Sequence, residues 1–225
     1  MTSNPLDQQR RVEIGRERRA RTRARIIAAA FSLFGEENGL YTRIEDIADR
    51  ADITRPTFYN HFSGMSELRD AVTYELTHDF LSAVTHTIDA LDDPRDRAAV
   101  AIRFYLDRVR EVPHWGWSLV NLSANGILFG AETHHQAEVT VRQGLEAGTF
   151  DLPNSAVGRD LILGSALAAI TTMLREQPDA RYPILIVRSI LVGLGVPPDE
   201  AERVANRPLP QLRAPGPLQP KVDKM

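Results

Sequence analysis

The segment between Thr42 and Phe62 constrains the fold more than any other part of the chain. Its sequence, TRIEDIADRADITRPTFYNHF, holds two helix-starting signals, at Thr42 and Thr54. Glu45 follows Thr42 at the spacing of a capping box, and Pro56 lies in the first turn after Thr54, where proline is tolerated. The sequence therefore predicts two very short consecutive helices.

The link between these helices is the run RADIT, which is short enough to force a sharp crossing angle instead of a side-by-side hairpin. Asp52 occupies the turn position that often needs a left-handed backbone, and Asp tolerates that conformation better than most residues. Phe58 and Phe62 are spaced i, i+4, so both rings are predicted to point inward. This pattern predicts a helix-turn-helix unit.

The other side chains of the second short helix are predicted to face outward, and their types suit DNA. Arg can grip guanine with two hydrogen bonds, Asn can pair with adenine, and Thr can contact a thymine methyl group. Tyr and His can donate to phosphates, as can the backbone N–H groups capped by Thr42 and Thr54. A small helical corner with a solvated face is the alternative. The outward residues are Arg55, Thr57, Tyr59, Asn60 and His61.

The charge distribution favours a nucleic-acid partner at the front of the chain. Net charge is −3 over 225 residues, which argues against general coating of nucleic acid. Eight arginines nevertheless lie in residues 10–25. We expect a basic flexible arm over residues 1–21 that lies along a DNA groove, whereas a solubilising tail is the alternative. The arginines taken as candidate DNA contacts are Arg18, Arg19, Arg21 and Arg23.

Helical periodicity dominates the whole chain, and no segment alternates long enough to predict a strand. A first helix is predicted from about Thr22 to Glu37, and a long one from Ser63 or Ser66 to Leu91. Further helices are predicted at roughly 95–111, 114–128, 131–147, 154–176, 180–195 and 198–206. The chain has no Cys, which excludes disulfides and thiolate metal sites. The predicted fold class is all-α.

The front of the chain resembles the TetR family of bacterial transcriptional regulators. The resemblance spans Thr22 to Leu68 and rests on IIAAAFSLFGEENG, IADRAD and TFYNHF. It implies a homodimer whose N-terminal helix-turn-helix domain of three helices, residues 22–66, is joined by a long helix to a ligand-binding and dimerisation domain, residues 67–207. Matched positions imply phosphate contacts from Thr42, Arg43, Tyr59 and His61, and base-edge contacts from Arg55, Thr57 and Asn60.

Two positions depart from the pattern of that family. Asp52 stands where relatives usually have Gly, and Met65 stands where they usually have Lys, so one expected phosphate contact is missing. The basic arm is expected to compensate for that loss.

Two helices near the C-terminus are predicted to form a dimer face. The segment YPILIVRSILVGLG is apolar around nearly its whole circumference, which favours contact with both its own core and a second subunit. The preceding helix carries a stripe of mostly small residues that lets another helix approach closely. An internal helix pair in a monomer is the alternative to a four-helix dimer interface. The predicted interface residues are Leu161, Gly164, Ala168, Thr171, Ile184, Val187 and Leu191.

The region from about residue 103 to 136 concentrates aromatic and amide side chains, which a small-molecule cavity needs. Plain core packing is the alternative for any one of them. His134 and Glu138 have metal-ligand spacing beside His135, but a solvated helix face explains them better, so no metal or cofactor is predicted. The predicted ligand contacts are Phe104, Tyr105, Arg108, Trp117, Asn121, Asn125, Phe129 and, from a later helix, Met173.

The predicted function is a ligand-responsive DNA-binding transcriptional regulator, a repressor released from a palindromic operator by a small molecule. The alternative is a helical small-molecule-binding or catalytic protein without sequence-specific DNA binding, although no catalytic motif is visible. The run Leu161–Leu174 is predicted to be too short to span a bilayer, so no membrane partner is expected. The predicted location is the bacterial cytoplasm, at the nucleoid when bound to DNA. The Pro-rich tail, residues 208–225, is expected to be extended or disordered.

Overall fold

The computed structural model describes residues 5–124 and 126–213, and every regular element in these ranges is helical, which confirms the all-α prediction. A 3₁₀ turn, Gly39–Tyr41, lies between the first two α-helices. The α-helices are α1 (Pro5–Phe34), α2 (Ile44–Arg50), α3 (Arg55–Tyr59), α4 (Met65–Ile88), α5 (Pro94–Glu111), α6 (Pro113–Ser123), α7 (Ala131–Glu146), α8 (Ser155–Glu176), α9 (Tyr182–Gly193) and α10 (Pro198–Ala205).

Helix α1 is much longer than the sequence pattern predicted. It begins at Pro5 and not near Thr22, so the prediction of a flexible arm is wrong for residues 5–21. Thirty residues make a helix about 45 Å long. Every residue from 9 to 21 is exposed, and the first fully buried side chain is that of Ile26. The many Arg, Glu and Ala residues favour a helix even without a buried stripe, which explains the extension.

Helices α1, α2 and α3 share one hydrophobic core with the first half of α4, and we call these three helices the head. Phe58 and Phe62 are 0% and 1% exposed, so the prediction that both rings point inward is confirmed. The guanidinium of Arg23 lies 4.9 Å from the centre of the Phe62 ring. The other fully buried side chains of this core are Ile26, Ala30, Phe34, Ile47, Leu68 and Val72.

Helix α2 starts one residue later than the predicted cap allows. Its N-cap is Arg43, whose backbone N–H donates to the Asp46 carboxylate at 2.8 Å. Thr42 instead ends the 3₁₀ turn, where its N–H donates to the Gly39 carbonyl. The predicted capping box of Thr42 with Glu45 is therefore wrong, because the preceding turn occupies Thr42.

The start of α3 and the turn before it confirm the sequence prediction. The Thr54 hydroxyl accepts the Thr57 N–H at 3.3 Å, and Asp52 has a φ of 51°, which lies in the left-handed region. Arg25 of α1 supports this turn, since its guanidinium donates to the backbone carbonyls of Ala51 and, at 2.8 Å, of Asp52. The turn is thus fixed from the side as well as by its own backbone.

The remaining helices, α5 to α10, form a second unit that we call the body. Helix α5 lies at its centre, in contact with α4 and with all five other body helices. Helix α6 ends at Ser123, earlier than the predicted end at 128. Beyond it, Phe129 adopts a φ of 61° and donates its N–H to the Ser123 hydroxyl at 3.1 Å. This strained backbone position brings the Phe129 ring into the core, where it is 2% exposed.

Helix α8 has 22 residues and is apolar enough, by length and composition alone, to cross a membrane. The prediction that its apolar run was too short is therefore wrong. The helix packs against α5, α6, α7 and α9, and it buries Ile162, Leu163 and Ile170 in the core of the body. These contacts are those of a core helix in a bundle.

A buried polar junction joins head and body. The side-chain amide of Asn121, on α6, donates to the carbonyls of Phe34 at 2.9 Å and Glu36 at 2.8 Å. Arg69, on α4, is 8% exposed and donates to the carbonyls of Asn121 at 2.9 Å and Leu40 at 3.1 Å. Its guanidinium also lies 4.8 Å from the Phe34 ring. The end of α1 is thereby held by one side chain of the body.

We expect Asn121→Ala to lower the free energy of unfolding by about 1–3 kcal/mol, because two buried carbonyls lose their donor. Denaturant titration measures this change. Asn38→Ala is the matched control, since the Asn38 side chain makes no capping bond, and it should change stability by less than about 0.5 kcal/mol. Equal effects of the two substitutions would contradict a special role for the junction.

Candidate DNA interface and ligand cavities

The outer surface of α3 brings together most of the residues predicted to contact DNA. Arg55, Asn60 and Tyr59 are exposed, Tyr59 by 49%, whereas Thr57 is half-buried. The Thr54 and Thr57 hydroxyls lie 2.9 Å apart, so each already has a hydrogen-bonding partner. Thr42 and Arg43 lie before α2, and Arg43 is exposed. The helix-turn-helix thus presents a polar ridge with one aromatic side chain.

Arg55 is positioned by an ion pair that the sequence did not reveal. Its guanidinium lies 2.9 Å from the Glu45 carboxylate of α2, and both side chains are about half exposed. Exposed pairs of this kind contribute little stability, so a phosphate or a guanine edge can displace Glu45. Glu45 therefore sets the orientation of Arg55 and also competes with DNA for it.

The basic extension of α1 meets the C-terminal end of α3. Arg19 donates to the Asn60 carbonyl at 2.9 Å, and Arg23 lies over the Phe62 ring. Arg18 is exposed, and Arg21 pairs with Glu17 at 3.4 Å. The predicted DNA-contacting arginines thus lie on a helix that is anchored beside α3.

His61 is less outward than the sequence predicted. It is half-buried, and its Nδ1 has no hydrogen-bonding partner among the described residues. Burial lowers the pKa of His61, and the positive charges of Arg19 and Arg23 lower it further. The imidazole is therefore neutral at pH 7, and any phosphate contact from it would be a hydrogen bond without a full charge.

A small apolar cavity lies between α4, α5, α7 and α8, with a volume of about 60 Å³. Of the predicted ligand contacts, Tyr105 and Phe129 line it. The Tyr105 hydroxyl lies 3.0 Å from the Thr133 hydroxyl, and Gln136 and Thr140 also face the cavity. Burial raises the pKa of Tyr105, so the phenol stays neutral. The cavity thus combines apolar walls with a few hydrogen-bonding groups.

A second, much larger space of about 1220 Å³ opens between α1, α4, α5 and α6, and we call it the junction groove. Phe104 and Arg108 line the groove, whereas the adjacent Tyr105 faces the small cavity. Phe80 separates the two spaces, with its ring centre 5.0 Å from that of Tyr105 and 5.2 Å from that of Trp115. The single predicted pocket is therefore two spaces divided by aromatic rings.

Three of the predicted ligand contacts line neither space. Trp117 is half-buried beneath the guanidinium of Arg175, at 5.7 Å. Met173 is buried in the core, and the amide of Asn121 is used at the junction between head and body. These three predictions are wrong because the partners come from distant parts of the chain. Asn125 lies outside the described residues.

The predicted dimer face is partly correct in its exposure. Leu161, Gly164, Ala168, Thr171 and Ile184 are partly or fully exposed. By contrast, Val187 and Leu191 are completely buried, because they occupy the inner side of α9 against the body core; placing them on the face was wrong. The exposed apolar residues of α8 and α9 that extend the face are Val157, Leu185 and Val192.

The spacing of His134 and Glu138 serves another contact. The Glu138 carboxylate accepts a hydrogen bond from Arg159 at 2.8 Å and one from Ser155 at 3.1 Å. Across residues 5–124 and 126–213, no three His, Cys, Asp or Glu side chains form a metal-binding group. Glu138 therefore links α7 to α8.

Two protein-family models match the chain. The model described as "Bacterial regulatory proteins, tetR family" matches residues 26–72, and "Tetracyclin repressor-like, C-terminal domain" matches residues 93–207. The chain belongs to the TetR family. The first match covers the helix-turn-helix and the start of α4, and the second covers α5 to α10.

Similar structures and sequences agree with this TetR assignment. The crystal structure of RolR in complex with resorcinol is 27% identical, with a TM-score of 0.71, and the match covers 87% of this chain and 98% of RolR. The transcriptional activator FasR of Mycolicibacterium smegmatis is 29% identical over 85 residues, which are 38% of this chain and 39% of FasR. The probable transcriptional regulator ArpR of Pseudomonas putida is 38% identical over 79 residues, 34% of this chain and 38% of ArpR. The chain thus spans about two fifths of the length of these sequence relatives.

The basic extension lies outside the TetR matches. The helix-turn-helix match begins at Ile26, after the arginine-rich part of α1. That extension is therefore a feature of this chain that the family pattern does not explain.

We expect Glu45→Gln to strengthen binding to duplex DNA, because it frees the Arg55 guanidinium for phosphate. One extra phosphate contact should steepen the dependence of log affinity on log salt by about 0.9. Fluorescence anisotropy over a salt series measures the slope. Glu146→Gln is the control, since it removes one carboxylate from the pair with Arg142 on α7, in the body. A slope that changes equally in both variants would show a general charge effect.

Proposed function

We propose that this TetR-family protein is a ligand-responsive transcriptional repressor that works as a homodimer on a palindromic operator in the bacterial cytoplasm. The observation that carries the proposal is the exposed polar ridge of α3, anchored beside a basic helix. A solvated corner would not need Tyr59 half exposed next to a row of arginines. Names of relatives as HTH-type regulators support the same reading.

In this proposal α3 enters the major groove. Arg55, Thr57 and Asn60 read base edges, and Arg55 leaves Glu45 to do so. Phosphate contacts come from Thr42, Arg43, Thr54, Tyr59 and His61. The α1 extension adds backbone contacts through Arg18, Arg19, Arg21 and Arg23, and these contacts carry affinity without sequence information.

The homodimer forms through the outer face of α8 and α9. Val157 and Leu185 are each 46% exposed, and Gly164 has open space around its α-carbon. An apolar, small-residue surface of this kind suits a second copy of the same helix pair. Two-fold symmetry then presents two α3 helices to two half-sites of an inverted repeat.

The effector binds in the small cavity of the body. Its walls are apolar, and Tyr105, Thr133 and Gln136 supply hydrogen bonds, so the chemical class is a small, mainly apolar molecule with a hydroxyl group. RolR, solved with resorcinol, supports a compact hydroxylated aromatic ring. An apolar cavity of about 150 Å³ holds benzene, so this cavity of about 60 Å³ must widen on binding. Widening is the source of the signal.

The signal reaches DNA through α4. Leu81, Val84 and Ile88 of its C-terminal half line the cavity, and Leu68 and Val72 of its N-terminal half lie in the core of the head. A ligand that displaces one end of α4 therefore reorients the head at the other. A hundredfold loss of operator affinity requires only about 2.7 kcal/mol of differential binding.

A protein of another class, a helical binding protein or enzyme without sequence-specific DNA binding, is the competing function. We expect Arg55→Ala and Tyr59→Ala each to weaken binding to a selected operator by about 10-fold or more, through loss of about 1–3 kcal/mol per contact. Selection from a random DNA pool followed by anisotropy measures this. Arg142→Ala, on the exposed face of α7, is the matched control.

Three results decide between the classes. A palindromic selected site with loss in both head variants supports the repressor, and in vitro transcription with and without protein gives the sign of regulation. Folded protein that selects no sequence, or whose DNA binding ignores both head substitutions, would assign the chain to the other class.

We expect resorcinol, used as a probe, to bind the body and to weaken operator binding. Thr133→Val should weaken resorcinol binding by about 10-fold, because a hydroxyl that faces the cavity is lost. Calorimetry measures binding, and Thr85→Val, on α4 but outside both cavities, is the control. Unchanged affinity in Thr133→Val would move the effector site elsewhere while leaving the DNA proposal intact.

A further inference from the structure

We infer that the junction groove is a second small-molecule site, for an amphipathic organic cation: an aromatic or branched apolar body that carries a protonated amine. The site is separate from the effector cavity of the body, from which Phe80 divides it. Its volume of about 1220 Å³ can hold a molecule of several rings, whereas the effector cavity of about 60 Å³ cannot.

The walls of the groove are apolar and largely aromatic. Phe31 of α1, Phe80 of α4, Phe104 of α5 and Trp115 of α6 contribute rings from four different helices. Leu209 and Leu212, after α10, close one side. Apolar walls of this type match the body of an amphipathic ligand.

The groove is open because α1 lines it with small residues. Ala20, Ala24 and Ala28 recur at intervals of four residues, on one face of the helix, and all three line the groove. Ala24 and Ala28 are exposed, so no other part of the described chain fills the space beside them. One face of α1 thus leaves room for a ligand where it passes the body.

The charges around the groove select a cation. Four carboxylates line it, those of Glu75, Asp79, Asp107 and Glu111, against two guanidiniums. Of these guanidiniums, Arg23 lies over the Phe62 ring and Arg108 lies 3.9 Å from Glu111. The groove therefore carries a net excess of negative charge.

Three of the carboxylates have no partner of their own. Across the described residues, Glu75, Asp79 and Asp107 take part in no hydrogen bond or ion pair within 4.0 Å through their side chains. Asp107 is half-buried, and burial raises its pKa. A ligand ammonium beside these groups would supply the missing counter-charge, whereas an anion would meet repulsion from all of them.

Occupation of the groove bears on DNA binding because its walls belong to both units. Ile27 and Phe31 belong to the head, and Phe104 and Trp115 to the body. A molecule that contacts both favours one orientation of the head, and the coupling is reciprocal, so DNA changes the affinity for the ligand by the same factor. This regulatory consequence rests on the proposed function; ligand binding itself does not.

Three dansyl probes with the same fluorophore test the site in the absence of DNA. Dansylcadaverine carries an ammonium group, N-butyl dansylamide is neutral, and dansyl-6-aminohexanoic acid carries a carboxylate. The rise and blue shift of dansyl emission in apolar surroundings report binding to the full chain. We expect the cation to bind about 10-fold or more tightly than the anion, with the neutral probe between them.

Variants locate the probe. Glu75→Gln with Asp79→Asn should lower affinity for dansylcadaverine by about 5-fold or more and leave the neutral probe unchanged. Asp70→Asn, an exposed carboxylate of α4 outside the groove, should change neither. Ala24→Trp places a large side chain in the groove and should abolish binding of all three probes. Because Ala24 is exposed, this variant should fold, and circular dichroism checks it.

Each contrary result overturns the inference in its own way. Equal affinities for the three probes would show a generic apolar surface, and no binding of any probe would show no site. The chain's own C-terminal residues, 214–225, are the other candidate occupant, since Leu209 and Leu212 lead past the groove. If removal of these residues raises the affinity for all three probes together, the groove belongs to that segment. None of these outcomes alters whether α3 binds an operator.

Discussion

The hydrogen bonds at the end of α1 are the interaction on which the arrangement of head and body depends. A helix leaves its last carbonyls without intrahelical donors, and water or a side chain must supply them. Here Asn121 of α6 supplies two, and Arg69 of α4 binds the backbone of Asn121 in turn. Because these groups are buried, exchanging them for water is unfavourable. The position of α3 in space therefore follows from the packing of body helices far from it in sequence.

The aromatic cluster behind that junction connects the two cavities physically. Phe80, Tyr105, Trp115 and Phe129 are linked by ring contacts of 5.0 to 5.8 Å. Phe80 and Trp115 face the junction groove, and Tyr105 and Phe129 face the small cavity. Close-packed rings transmit a displacement instead of absorbing it. A molecule in either space therefore acts on the same segment of α4, so the two sites can be coupled without a separate pathway.

The sequence predicted those features whose causes lie within a few residues. The Thr54 cap, the left-handed Asp52 and the inward Phe58 and Phe62 depend on local spacing, and all three are confirmed. The errors have non-local causes. Asn121 was predicted to bind a ligand because its partners, the carbonyls of Phe34 and Glu36, are more than eighty residues away. Val187 was placed at a surface because a helix that is apolar on all sides does not show which side faces its own core.

The basic extension shows a different error, in which helix propensity outweighed the missing apolar stripe. Its helical form changes how the arginines act. Arg19 and Arg23 lie on one face and are held at the end of α3, so the other arginines project from a fixed support. A flexible arm would lose backbone entropy of about 1–2 kcal/mol per residue on being ordered by DNA. A helix that is already anchored avoids most of that cost, so its phosphate contacts contribute more to affinity. The compensation for Met65, which replaces the lysine of the family pattern, is therefore a rigid element and not a mobile one.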